Sequence, residues 1–174
     1  METTIVSNDI IDIDLQQLAL EVGQALQAKQ RMLATAESCT GGWVAKTLTD
    51  IAGSSAWFER GFVTYTNIAK VEMLGVNASV IDSHGAVSEL TVREMARGAL
   101  KHSHADLSLA ITGIAGPGGG SDDKPVGLVW FAWAVREGEL RCEEHRFAGD
   151  RQAVRRQAVA MALHGVKTCL GNIV

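Results

Sequence analysis

The run Leu33-Ala34-Thr35-Ala36-Glu37-Ser38-Cys39-Thr40-Gly41-Gly42-Trp43-Val44 constrains the fold more than any other stretch of this chain. Leu33 to Ala36 read as a buried strand, Gly41 and Gly42 permit a tight turn, and Trp43, Val44, Ala45 and Leu48 open a helical face. A strand that feeds a helix through a short glycine turn is the unit from which helix-covered sheets are built. It also sets Ser38 close to a helix N-terminus, where unpaired N–H groups carry partial positive charge and can hold an oxyanion or a phosphate. Small polar residues and glycines at such a place are equally the ordinary chemistry of a turn.

The remaining periodicity extends this unit into a domain. Leu15, Leu18, Ala19, Val22 and Leu26 form an amphipathic helix behind an acidic leader, residues 1–13, expected to fray. After a strand at Met32–Ala36 and a helix from Gly42 to Asp50, alternation predicts a strand at Gly61–Thr66, and Ile68, Val71 and Leu74 predict a helix stopped by Gly75. A connecting segment, Val76–Val87, leads to a helix capped by Ser88 and running to His102. Then come a strand at Leu107–Thr112, a glycine-rich loop, a hairpin of Val126–Val135 with Leu140–Phe147, and a last helix from Arg151 to Leu170 behind Asp150. This order implies an α/β fold, a layered αβα domain with a mixed, largely parallel sheet, and one domain over residues 1–174.

Composition removes several function classes. A net charge of −4 argues against a phosphate-backbone footprint, so no nucleic-acid partner is expected. The longest apolar run, Val126–Val135, is too short to span a bilayer, and the acidic start lacks the basic region of a signal peptide. Cys39, Cys142 and Cys169 are too scattered for a disulfide framework or structural zinc. A cytoplasmic protein without membrane attachment, metal or cofactor is the expectation.

Chemistry concentrates at two places. In Thr64-Tyr65-Thr66-Asn67-Ile68-Ala69-Lys70 a strand ends and Lys70 falls in the first turn of a helix, where the positive end disfavours an ammonium. Partial burial there lowers the lysine pKa toward that of a proton acceptor, whereas a Lys70 bent into solvent would be a spectator. If the two strand ends lie side by side, Lys70 can deprotonate Ser38 for attack on an acyl carbon, with Tyr65 orienting the amine or donating to the oxyanion. Cys39 is a rival nucleophile beside the same helix end; neighbouring side chains diverge, and Ser38 is preferred. The loop Gly113–Lys124 offers backbone N–H groups without a P-loop ending, and Arg151 is placed to grip a phosphate if the last helix starts near the site.

Ala36-Glu37-Ser38-Cys39-Thr40-Gly41-Gly42, Gly61-Phe62-Val63-Thr64-Tyr65 with Lys70, Gly85-Ala86-Val87-Ser88, and Thr112-Gly113-Ile114-Ala115-Gly116-Pro117 together resemble the CinA C-terminal domain family. The chain's length is similar to that of the family's stand-alone nicotinamide mononucleotide deamidases. The resemblance implies hydrolysis of nicotinamide mononucleotide to nicotinic acid mononucleotide and ammonia. Ser38, Tyr65 and Lys70 then match the catalytic positions, Thr112 and Gly113 line the pocket, and Thr40, Gly41 and Gly42 supply oxyanion or phosphate donors. It also implies a homo-oligomer, a dimer in preference. The alternative is a catalytically silent nucleotide-binding or regulatory module of the same family.

Overall fold

The computed structural model describes residues 4–5 and 14–172. In chain order the elements are β1 (Thr4–Ile5), α1 (Leu15–Ala28), β2 (Leu33–Glu37), α2 (Trp43–Thr49), β3 (Phe58–Val63), α3 (Asn67–Leu74), α4 (Ala78–His84), α5 (Glu89–Lys101), β4 (Leu107–Gly113), β5 (Leu128–Val135), β6 (Leu140–Arg146) and α6 (Arg151–Asn172). The strands form one sheet in the order β1-β6-β5-β4-β2-β3. The β1·β6, β2·β3 and β2·β4 pairs are parallel, and β5 is antiparallel to both β4 and β6. Of the leader expected to fray at 1–13, Thr4 and Ile5 instead pair with β6 as β1, and the rest of that expectation lies outside the described residues.

Strand alternation decides how the layers pack. Leu107, Leu109 and Ile111 of β4 and Val129, Phe131 and Trp133 of β5 face α1, α2 and α6 in one cluster. The opposite face carries Ala36, Ala110, Ala132 and Ala134 against Val92, Met95, Ala96 and Ala99 of α5. Large side chains therefore fill one interlayer space, while alanines let α5 approach the other face closely. Gly98 of α5 is the tightest point of that approach, since a Cβ there would sit 2.0 Å from the backbone carbonyl oxygen of Leu74 at the end of α3. The geometry locks the helix that carries Lys70 onto α5.

Two further elements differ from the sequence expectation. The strand predicted at Gly61–Thr66 occupies Phe58–Val63, in parallel register with Leu33–Glu37. It stops early because Thr66 turns to cap α3, its hydroxyl oxygen accepting from the Ala69 N–H at 3.2 Å. The connecting segment Val76–Val87 contains α4, capped by Asn77, whose Oδ1 accepts from the Ser79 N–H at 3.0 Å. Only Ile81 of α4 is buried, so the helix has no apolar stripe to betray it.

The parallel register of β2 with both neighbours sets their carboxyl ends at one sheet edge. Glu37 pairs with Val63 on one side and with Ile111 on the other, so Ser38 and Thr64 leave the sheet side by side, next to Thr112 of β4. That edge is the usual ligand side of an open α/β sheet. Among the described residues no helix is long and apolar enough to cross a membrane.

Candidate active site

The turn that carries Ser38 is held from several directions. The Ser38 N–H donates to the Ile111 carbonyl at 3.0 Å, extending the β2·β4 pairing by one residue. Gly41 and Gly42 take φ of +61° and +94°, which L side chains rarely adopt, and Gly42 is the left-handed N-cap of α2. The Gly41 N–H donates to the Ser38 carbonyl at 3.0 Å and the Trp43 N–H to the Thr40 carbonyl at 3.1 Å.

Glu37, fully buried, changes the expected role of the helix end. Its Oε1 accepts from the Thr40 hydroxyl at 2.7 Å and the Val44 N–H at 2.8 Å, and its Oε2 accepts from the Ala45 N–H at 3.0 Å. The first N–H groups of α2 are thereby occupied by the protein's own carboxylate, where the sequence suggested a ligand anion. Gly41, expected as a donor, is likewise engaged within the turn. The N–H groups of Cys39, Thr40 and Gly42 donate to no other described residue. These are the donors the turn leaves unpaired, and two of them lie on buried residues, Cys39 at 6% exposure and Thr40 at 0%.

Lys70 meets this turn from α3. Only 1% of the residue is exposed; Nζ lies 3.0 Å from Ser38 Oγ and donates to the Thr64 carbonyl at 2.5 Å. No carboxylate bonds to it among the described residues, and desolvation by burial lowers its pKa below the ordinary lysine value of 10.5. A neutral amine in this position can donate to Thr64 while its lone pair accepts the Ser38 proton. Cys39 is the opposite case: burial pushes its thiol up to about 12, so it carries no thiolate at neutral pH. The preference for Ser38 over Cys39 acquires a physical basis.

The structure brings Ser38 and Lys70 together, while the Tyr65 hydroxyl bonds to neither and pairs with Arg151. Tyr65 is 60% exposed, and its hydroxyl accepts from Arg151 Nη2 at 2.7 Å. Arg151 Nη1 donates to the Gly116 carbonyl at 2.8 Å, so one arginine links the start of α6, the glycine-rich loop and the end of β3. Thr112 is buried with its hydroxyl donating to the Ala86 carbonyl at 2.8 Å. Gly113 pairs with Val129, and a Cβ there would lie 2.8 Å from the Leu128 carbonyl oxygen. These two residues hold the sheet edge in shape.

Sequence reasoning gave no role to Glu37 or Arg155. A carboxylate one position before the turn and a helix after it is a capping signal, legible in retrospect for Glu37. Arg155 had no signal beyond its place on α6. It donates from Nε to the Cys39 carbonyl and from Nη2 to the Thr40 carbonyl, each at 3.0 Å, and its guanidinium lies 5.4 Å from the Trp43 ring centroid. An open cavity of about 420 Å³ lies between Trp43, Asp150, Arg151, Gln152 and Arg155. Among the described residues no cluster of His, Cys, Asp or Glu has the geometry of a metal site.

A family model described as the CinA C-terminal domain matches residues 15–170. The chain is 62% identical over 152 residues to nicotinamide-nucleotide amidohydrolase PncC of Escherichia coli strain K12, covering 87% of this chain and 92% of that protein. It is 54% identical over 149 residues to the protein of the same name from Enterobacter agglomerans, covering 86% and 91%. The competence/damage inducible protein CihA of Agrobacterium tumefaciens has a similar structure, with a TM-score of 0.88 at 44% identity over 98% of this chain and 100% of that one. A CinA superfamily protein from Klebsiella pneumoniae superposes with a TM-score of 0.89 at 42% identity, covering 92% and 100%.

Proposed function

This chain belongs to the CinA C-terminal domain family, and we propose that it is an amidohydrolase converting nicotinamide mononucleotide to nicotinic acid mononucleotide and ammonia. The observation that carries the reaction type is the 3.0 Å approach of Lys70 Nζ to Ser38 Oγ, with the amine buried and its pKa lowered. The substrate comes from relatives up to 62% identical that are named nicotinamide-nucleotide amidohydrolases.

In this reading neutral Lys70 takes the Ser38 proton as Oγ attacks the carboxamide carbon. The oxyanion settles against the available N–H groups of Cys39 and Thr40. Collapse breaks the C–N bond, and Lys70 returns its proton to the departing nitrogen, releasing ammonia and leaving an ester on Ser38. Water, deprotonated by Lys70, then attacks the ester carbon; Ser38 recovers its proton and nicotinic acid mononucleotide leaves. Arg151 grips the phosphate, exchanging its present partners Tyr65 and Gly116 for phosphate oxygens. Tyr65 assists by holding Arg151 at the site before the nucleotide enters, with Thr112, Gly113 and Gly42 shaping the wall. The reaction serves pyridine-nucleotide recycling in the cytoplasm and uses no metal or cofactor.

The test is ammonia release from nicotinamide mononucleotide by the pure protein. Arg151→Ala is expected to raise KM roughly 10- to 100-fold, the loss of a charged hydrogen bond, while leaving turnover of the phosphate-free riboside unchanged. Tight nucleotide binding without ammonia would favour the silent binding module.

We also propose that the protein assembles as a dimer. β3 is a sheet edge, and Val63, Tyr65 and Ile68 beside it are 47%, 60% and 59% exposed, an apolar group unusual for a free surface. Light scattering should give twice the chain mass, and Ile68→Glu should return it toward one; a monomeric wild type would remove the proposal.

A further inference from the structure

We infer that Arg155 is a positioning residue that orients and polarises the oxyanion donors of the Ser38 turn. The inference rests on the Ser38 reading above and adds a role for a side chain that touches no reacting atom. Arg155 reaches from α6 and binds two successive peptide groups at once, Nε to the Cys39 carbonyl and Nη2 to the Thr40 carbonyl, both at 3.0 Å. Its planar fork matches two parallel acceptors, which an ammonium cannot do. The face of Trp43, 5.4 Å from the guanidinium, holds the fork in place.

The consequence follows from the planarity of the peptide bond. The Cys39 carbonyl and the Thr40 N–H belong to one trans peptide unit, the sole cis bond of the described chain being Gly116-Pro117. Fixing the carbonyl toward Arg155 therefore fixes the Thr40 N–H on the opposite side. The Thr40 carbonyl shares its unit with the Gly41 N–H, which donates to the Ser38 carbonyl, so that plane is held at both ends. The Ser38 carbonyl in turn shares a unit with the Cys39 N–H. The chain of constraints leaves two consecutive N–H groups, those of Cys39 and Thr40, that donate to no other described residue, a pair of donors of the kind an anion nest uses. A positive charge on the Cys39 carbonyl also draws electron density from the Thr40 nitrogen, making its N–H a stronger donor when an oxyanion forms.

The test measures the Ser38 turn with two reagents. A fluorophosphonate probe reacts by attack of Ser38 Oγ on phosphorus with loss of fluoride and transfer of the serine proton to Lys70, and its transition state places negative charge on a phosphoryl oxygen. Arg155→Met is expected to slow this labelling 10- to 100-fold, and to lower kcat for nicotinamide mononucleotide by a similar factor with KM within about twofold. Arg155→Lys, which keeps the charge but not the fork, should fall between. The melting temperature and affinity for nicotinic acid mononucleotide should stay near wild type, because a residue serving only to staple α6 to α2 would move the former and a substrate contact the latter. Wild-type labelling rates in Arg155→Met would overturn the inference, as would a slowing matched by equal loss of product affinity. If the wild type labels at Ser38 yet releases no ammonia, the amidohydrolase reading fails, while slowed labelling in the variants still supports the role of Arg155.

Discussion

Ser38→Ala and Lys70→Met are each expected to lower kcat for nicotinamide mononucleotide about 1,000-fold or more, and the double variant is expected to be no worse than the poorer single. Nucleophile and base act as one unit, so removing either removes the whole covalent route. The 3.0 Å contact between them sits where Lys70 has no competing carboxylate among the described residues, and its remaining bond is to the Thr64 carbonyl. Met keeps the length and apolar character of the lysine stem, so the loss reports on the amine. Full activity in either variant would sink the mechanism.

The same lysine predicts two pH effects, one on activity and one on stability, and both rise with pH. Because the base must be neutral, kcat/KM rises with pH as the Lys70 ammonium loses its proton, and the acidic limb lies below the ordinary 10.5. For stability, the folded pKa is lowered, so the unfolded chain binds more protons between that lowered value and 10.5. Wild-type stability therefore rises with pH across that window. Below the lowered value the full cost of burying the ammonium is present. Urea titrations at several pH values should show this slope in the wild type and lose it in Lys70→Met.

Gly98→Ala is expected to destabilise the fold by about 2–3 kcal/mol, and to reduce the activity of the molecules that remain folded. Alanine would ordinarily gain up to ~1 kcal/mol in a helix interior over glycine. Here its Cβ would lie 2.0 Å from the Leu74 carbonyl oxygen and 2.8 Å from the Leu74 carbonyl carbon. Both belong to the backbone, so relief requires α3 to shift off α5. Lys70 rides on α3, and a displacement near 1 Å would spoil its contact with Ser38. Urea unfolding and ammonia release from the same preparation check both parts; wild-type stability would show that α3 and α5 are not locked as described.

Fold and site were legible to different depths. A helical stripe such as Leu15-Leu18-Val22-Leu26 buries one face, the unbroken apolar run of β5 buries both, and each pattern survives in the sequence. α4 buries only Ile81 and left no stripe. β3 ends three residues before the alternation predicts, because Thr64-Tyr65-Thr66 continue the pattern in sequence while the Thr66 hydroxyl favours starting α3. Ser38 and Lys70 were legible from their places after a strand and inside a helix's first turn. The sequence places Tyr65 beside them as a companion, and in the structure its hydroxyl accepts from Arg151, 86 positions away.

By itself the sequence determined the strand–turn–helix around Ser38, the helix that carries Lys70, the layered α/β class and the family. These depend on side-chain period, turn chemistry and motif order, all written locally. Only the tertiary structure decided that Glu37 occupies the start of α2, that Arg151 reaches both Tyr65 and Gly116, and that Arg155 grips the nucleophile turn. It also decided that Lys70 is buried against Ser38. The reason is register: parallel pairing of β2 with β3 and β4 sets three strand ends at one edge, and a slip of one residue would turn every side chain to the other face. Such pairings join residues distant in the chain, and neither period nor spacing encodes them.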